Sequence, residues 1–209
     1  MTVIAIDGTF ASGKGTLAKA LAEHYGLAYL DTGKLYRAVG YAVLQAGHDP
    51  SDAPLAATAA QSLDIEILSD PILKSGNVAI AASKVAVHPD VRAALFQFQR
   101  DFAAKGAVLD GRDIGTVICP DATAKLYIDA APKERARRRH LELTGYGEDI
   151  SFDTVLAQLI ERDTRDKTRK EAPLIPADDA HLIDTTHLDI QGVFDLAVEI
   201  VDAILAISS

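Results

Sequence analysis

The chain has 209 residues, 48% of them apolar and 24% charged, which is enough apolar material for one ordinary globular domain with a full core. With 21 Lys and Arg against 30 Asp and Glu the net charge is -9, which disfavours a broad basic surface for nucleic acid and, at this apolar content, excludes disorder by charge excess. The lone Cys119 rules out an intrachain disulfide and fits a reducing cytoplasm, and no apolar run approaches the ~18 residues that a membrane span needs. The opening Met1 to Asp7 has no basic start and meets an acid early, so it is not read as a secretory signal.

In chain order, Thr2 to Asp7 predicts a buried strand and Gly8 to Gly13 a glycine-containing turn. A helix carrying Leu17 and Leu21 follows, and Gly26 is placed to stop it. A short strand over Leu27 to Leu30, helices over Lys34 to Gln45 and Ala53 to Ser62, and an alternating strand over Leu63 to Leu68 come next. His88-Pro89-Asp90 opens a helix with Val91, Leu95, Phe98 and Phe102 roughly on one face. Strands at Ala107 to Leu109 and Lys125 to Asp129, then helices over Pro132 to Leu143 and from about Phe152 to Thr168, bracket the Gly145-Tyr146-Gly147 tip. His181 to Asp184 predicts the last strand, Thr186 to Asp189 a capping box, and the Ile190, Val193, Ala197, Val201 spacing the last helix. Strands alternating with helices imply an α/β fold with a parallel sheet covered on both faces.

Charge is unevenly spread. From Glu171 onward there are eight acids and no Lys or Arg, whereas Arg112 to Lys170 holds 12 of the 21 basic residues beside 11 acids. That stretch is either a site for a small polyanion or a solvated helical surface. Local motifs favour the anion. Gly8-Thr9-Phe10-Ala11-Ser12-Gly13-Lys14-Gly15-Thr16 puts G-x-x-x-x-G-K between strand and helix, where backbone N–H groups curl around phosphate, the helix N-terminus adds partial positive charge and Lys14 adds a mobile cation. Gly15 stands where Ser or Thr usually holds magnesium, and the hydroxyl comes one residue later at Thr16. Arg162, Asp166 and Arg169 recur at helical spacing, suited to gripping a phosphate while the carboxylate accepts from a sugar hydroxyl, or to a plain surface ion-pair ladder. The Asp110-Gly111-Arg112-Asp113 turn leaves the carboxyl end of a strand, where ligands bind in open α/β sheets. The six histidines and Cys119 show no metal-ligand spacing.

The G-K-G-T form of the loop resembles nucleoside monophosphate kinases. Together with Asp31-Thr32-Gly33-Lys34-Leu35-Tyr36-Arg37, Ala81-Ala82-Ser83-Lys84, Asp110-Gly111-Arg112-Asp113 and the Arg162 to Arg169 helix, the chain resembles bacterial cytidylate kinases over most of its length. The resemblance implies transfer of the ATP γ-phosphate to CMP or dCMP with Mg2+. It implies a single P-loop domain over 1–209, with an acceptor region at about 32–105, a shortened β-rich insertion of which Leu63 to Leu68 and Leu73 to Ile80 remain, and a helical lid at about 138–158. Gly8 to Thr16 would bind ATP, with Thr16 toward the metal. Ser83, Arg92 and Asp113 would read cytosine, Arg37, Arg112 and Arg169 would hold the CMP phosphate, Arg162 and Asp166 the ribose, and Thr32 would line the pocket. Lys14, Arg112, Arg162 and Arg169 would serve the transfer. Where the family usually has Pro and a further Gly, this chain has Thr9, Phe10 and Ala11. Rival readings are another acceptor (UMP, AMP or a small metabolite such as shikimate) and an ATP-binding switch without transferase activity. Expected partners are these small molecules, with neither nucleic acid nor membrane, and the expected state is a cytoplasmic monomer.

Overall fold

A computed structural model describes residues 1–208. Five strands form one all-parallel sheet in the order β2-β3-β1-β4-β5: β1 Val3–Gly8, β2 Ala28–Asp31, β3 Ala107–Asp110, β4 Ala124–Asp129 and β5 His181–Asp184. The central strands read as near-continuous apolar runs because both faces are covered. Ile4, Ile6, Leu126 and Ile128 point to one side, into helices α1 (Lys14–Tyr25) and α8 (Ile190–Ser208). Ala5, Leu30 and Leu109 point to the other, towards α5 (Pro89–Ala103) and a wide turn at Ile114–Ile118. Among the described residues no helix is long and apolar enough to cross a membrane.

The register brings the carboxyl ends of the strands level, with Ile6 opposite Asp110, Asp31 opposite Asp110, Gly8 opposite Ile128 and Asp129 opposite Asp184. Each strand therefore delivers an aspartate at or next to its end: Asp7, Asp31, Asp110, Asp129 and Asp184. The chain runs from β3 across β1 to β4, so the crevice of this sheet opens above β1.

Helices α2 (Thr32–Gln45), α3 (Ala53–Gln61), α4 (Gly76–Val85) and α5 share a second core around Leu35, Val39, Val43, Val85 and Leu95. Helices α6 (Pro132–Gly145) and α7 (Phe152–Thr168) form a hairpin with its own small core of Ala136, Leu143, Val155 and Leu159.

Three expectations are corrected. The strand predicted over Leu63 to Leu68 is a 3-10 turn, Ile65–Ser69, followed by another at Pro71–Lys74. Asp64 accepts from the Glu66 N–H at 3.0 Å and Asp70 from the Ile72 N–H at 2.8 Å, so local side-chain bonds satisfy the backbone where a ladder would need a neighbour. The residues after Leu73, expected as the remnant of a β-rich insertion, start α4, whose alanines pack so tightly that a Cβ on Gly40 would lie 2.9 Å from that of Ala81. The cap of α8 is Asp189, which accepts from the Gly192 N–H at 2.8 Å, while Thr186 bonds to Asp184 instead.

Candidate active site

The phosphate loop is built around two close approaches. Gly8, at φ +148°, leaves no room for a side chain, since a Cβ there would sit 1.9 Å from the Ile128 carbonyl oxygen. Thr9 then donates its N–H to that carbonyl at 3.2 Å and its hydroxyl to Asp129 at 2.6 Å. Ala11 and Gly13 both take positive φ, 60° and 94°, curling the loop until α1 begins at Lys14. Lys14 Nζ donates to the Thr9 carbonyl at 3.3 Å and lies 3.8 Å from Asp110, which also accepts from the Tyr29 hydroxyl at 3.2 Å. Burial lowers the Lys14 pKa, with Arg112 pushing the same way, and raises that of Asp110 against the pull of Lys14. A Cβ on Gly15 would come 3.1 Å from Asp110 Oδ2, a tight contact, and the hydroxyl of the motif stands at the next residue, Thr16.

A cleft of about 420 Å3 lies against this loop, lined by Phe10 to Thr16 together with Lys34, Arg37, Lys74, Arg112 and Arg162. Beside it a much smaller pocket, about 40 Å3, gathers Thr32, Ser83, Arg92, Arg112, Asp113, Arg162, Asp166 and Arg169. Every acceptor residue expected from sequence thus lies at one of these two neighbouring cavities. Arg112 and Arg162 line both. The small pocket is filled by its own ion pairs. Arg92 bonds closely to Asp113, Arg169 Nη2 stands 3.7 Å from the same carboxylate, and Arg112 Nε donates to Asp166 at 3.2 Å. Common ligand pockets measure about 300–1,000 Å3, so these pairs leave far less open space here than such pockets offer.

Their electrostatics differ. Burial raises Asp113 despite Arg92 and Arg169, whereas Asp166, which burial would also raise, is held below the usual carboxylate range by Arg112, Arg162 and Arg169. Burial lowers Arg162 to about 9, because Asp166 only partly offsets its desolvation and the neighbouring Arg112. Arg169 lies just past the last residue of α7, so it reaches the pocket from extended backbone rather than from the helix face shared by Arg162 and Asp166. Thr32, buried, donates to the Asp110 carbonyl at 2.8 Å and braces the turn that carries Arg112. Ser83 accepts from Arg165 at 2.8 Å. Arg37 donates to the Leu73 carbonyl at 2.6 Å.

Sequence reasoning missed the far side of the loop. A third cavity of about 540 Å3 runs between α1, α6 and the start of α8, with Leu17, Leu188, Val193 and Phe194 on an apolar side and Arg137 and Arg138 on a charged one. The Thr185 hydroxyl donates to the Ser12 carbonyl at 2.9 Å, and Arg138 Nη2 donates to the Thr185 carbonyl at 2.7 Å, tying the phosphate loop to this wall. Asp7 was also passed over. It accepts from the N–H groups of Ile114 at 2.8 Å and Gly115 at 2.7 Å, anchoring the turn after Asp113. Nothing in the spacing marked either role, because both depend on strands distant in sequence.

A phosphate loop on a β2-β3-β1-β4-β5 parallel sheet, facing a second arginine-lined cavity, defines a P-loop phosphotransferase. The cytidylate kinase family profile matches residues 4–203, and the chain belongs to that family. It is 55% identical over 206 residues to the cytidylate kinase of Rhodopseudomonas palustris (strain ATCC BAA-98 / CGA009), covering 98% of this chain and 97% of that one. It is 54% identical to the cytidylate kinase of Bradyrhizobium diazoefficiens with the same coverage, and 55% identical over 203 residues to that of Xanthobacter autotrophicus, covering 96% and 97%. An uncharacterized protein from Eubacterium ventriosum, 17% identical, superposes with a TM-score of 0.55 over 97% of this chain and 98% of its own, which shows the fold alone.

Proposed function

We propose that the protein transfers the γ-phosphoryl group of ATP to CMP or dCMP, with residues 32–105 as the acceptor region and 138–158 as the lid. The observation that carries this reading is that Arg112 and Arg162 line both the cleft under the phosphate loop and the neighbouring pocket. A group moving between two anions would cross there.

In this reading Gly8, Thr9, Phe10, Ala11, Ser12, Gly13, Lys14, Gly15 and Thr16 cradle the ATP phosphates through backbone N–H groups and the start of α1, and Lys14 leaves Asp110 to meet them. The 540 Å3 cavity suits the purine, an apolar ring face on one side and arginine planes on the other. On the acceptor side Arg37, Arg112 and Arg169 hold the CMP phosphate, Arg162 with Asp166 the ribose, and Ser83, Arg92 and Asp113 the cytosine edge, whose amine needs an acceptor and whose carbonyl and ring nitrogen need donors. The attacking oxygen is already ionised near neutral pH, so no general base is needed. Alignment and charge neutralisation carry the rate, and closure of the lid excludes water.

The residues fit magnesium. Thr16 is exposed and its hydroxyl makes no hydrogen bond among the described residues, and the Asp110 carboxylate stands beside Gly15, so hard oxygen donors flank the loop. Thr16 and Asp110 would hold the ion, which supplies neutralisation of the phosphate oxygens. A monomer is the working state, and the single cysteine supports a reducing cytoplasm.

The test is coupled measurement of ADP release from Mg-ATP with CMP, dCMP, UMP, AMP, GMP and shikimate. Turnover with CMP or dCMP far above the rest is expected. A different preferred acceptor would remove the cytosine roles of Ser83, Arg92 and Asp113, and no turnover with any would remove the transferase reading.

A further inference from the structure

The tip of the phosphate loop carries an aromatic ring, Phe10, that is half-buried against the core of the α6–α7 hairpin. Two guanidinium groups flank it. Arg162 Cζ lies 4.1 Å from the ring centroid and Arg139 Cζ 5.5 Å, both inside the ~6 Å reach of a cation–π contact. The remaining bonds of Arg162 are sparse. Nη1 donates to the Ala79 carbonyl at 3.1 Å, while Nε stands 3.7 Å from Asp166 and, although buried, has no hydrogen-bond acceptor. With so few acceptors, this guanidinium has the Phe10 ring, 4.1 Å from its Cζ, as a close neighbour that can fix its orientation. The Phe10 carbonyl also accepts from Arg135 of α6 at 3.1 Å, so both the ring and the backbone of this residue engage the hairpin.

We propose that Phe10 is a positioning residue: its ring holds Arg162 between the phosphate-loop cleft and the acceptor pocket, and it locks the lid hairpin to the loop. It acts through Arg162 and touches no reacting atom. This rests on the role given above to Arg162 in phosphoryl transfer. A leucine at position 10 would fill the apolar space of the hairpin core but offer no π face, which separates filling from holding.

The experiment compares the full-length wild type with Phe10→Leu, Phe10→Met and Phe10→Tyr. It measures kcat and KM for ATP and CMP, the thermal midpoint, and the rate of limited tryptic cleavage within residues 132–168 without nucleotide. Leu and Met are expected to lower kcat about 10- to 30-fold, the range of a desolvated cation–π contact, to raise KM for CMP because Arg162 also holds the ribose, and to speed cleavage of the hairpin. Tyr is expected to match the wild type in both. If Leu destabilises the fold, the flexible Met variant decides. Unchanged kcat and cleavage in the Leu and Met variants would overturn the proposal, as would a Tyr variant as impaired as they are. Should the wild type prefer another acceptor, the substrate reading fails while the cleavage rates still decide whether the ring anchors the hairpin.

Discussion

Arg112 leaves the turn after β3 with one nitrogen 3.2 Å from Asp166 and another donating to the Gly111 carbonyl at 3.1 Å, and it lines both cavities of the proposed site. Arg112→Ala is expected to lower kcat on the order of 10³-fold, the scale of an arginine that stabilises a transferring phosphoryl group. Steady-state kinetics decide it, and near-normal turnover would remove Arg112 from the transfer. Asp7 makes a different kind of prediction. Burial raises its pKa to about 7 against the two backbone N–H groups that favour the carboxylate, whereas an unfolded aspartate titrates near ~3.9. The folded state therefore holds a proton that the unfolded state has lost across that window, so this residue's contribution to stability falls as pH rises from about 4 to about 7 and is level above. The thermal midpoint of Asp7→Asn relative to wild type should rise as pH goes from about 4 to about 7, and a difference independent of pH would contradict the assignment.

At the scale of elements, the acceptor side depends on how closely α2 and α4 approach. A side chain at Gly40 would meet Ala81 and the Ala82 backbone at 2.9 Å, so Gly40→Leu must push the helices apart. The expected cost is about 1–3 kcal/mol of stability, with a raised KM for CMP and an unchanged KM for ATP, since α2 carries Arg37 and α4 carries Ser83. A normal KM for CMP would show that α4 does not shape the pocket. This helix is also where sequence reading fell short. The first strand, the glycine loop and α1 were legible because their chemistry is local: an apolar run, a turn that needs glycine, and a helix stop at Gly26 in left-handed conformation. The Arg162 and Asp166 pair was legible from helical spacing alone. Helix α4 has neither a side-chain cap nor a strong polar face, and its run of alanines becomes informative only once Gly40 lies against it. Likewise Leu63 to Leu68 alternates as a strand would, yet has no sheet edge to join, and Asp64 and Asp70 turn it into tight helical turns. The anchoring of the phosphate loop by Thr185 lay out of reach, since its partner is 173 positions away.

Across the whole molecule, polar contacts tie the α6–α7 hairpin to helix α4 and the turn before it. Glu148, in the connection between α6 and α7, accepts from the Gly76 N–H at 2.9 Å and so serves the N-terminus of α4, whose own Ser75 makes no side-chain cap. Lys74 stands 5.8 Å over the Tyr146 ring nearby. A carboxylate at a helix N-terminus contributes about 0.3–1 kcal/mol, so Glu148→Gln should speed amide exchange in residues 144–151 by about two- to fivefold while the sheet core is unaffected. Exchange equal to wild type would mean that the lid is held elsewhere. The arginines carry a wider consequence. Arg37 donates to the Leu73 carbonyl, Arg92 to Ala86, Arg139 to Lys74, Arg162 to Ala79 and Arg169 to Ala172. A carbonyl oxygen belongs to every residue type, so exchanging the side chains at these partner positions leaves the acceptor atom in place. Comprehensive mutagenesis should therefore show intolerant arginines beside a permissive Lys74, whereas the buried partners Leu73, Ala79 and Ala86 tolerate only exchanges that keep their packing. Over evolutionary time the exposed positions of this wall, Ile72, Lys74, Asn77 and Ile80, are free to drift in side-chain identity, while buried Leu73, Val78 and Ala79 keep the main chain on its path.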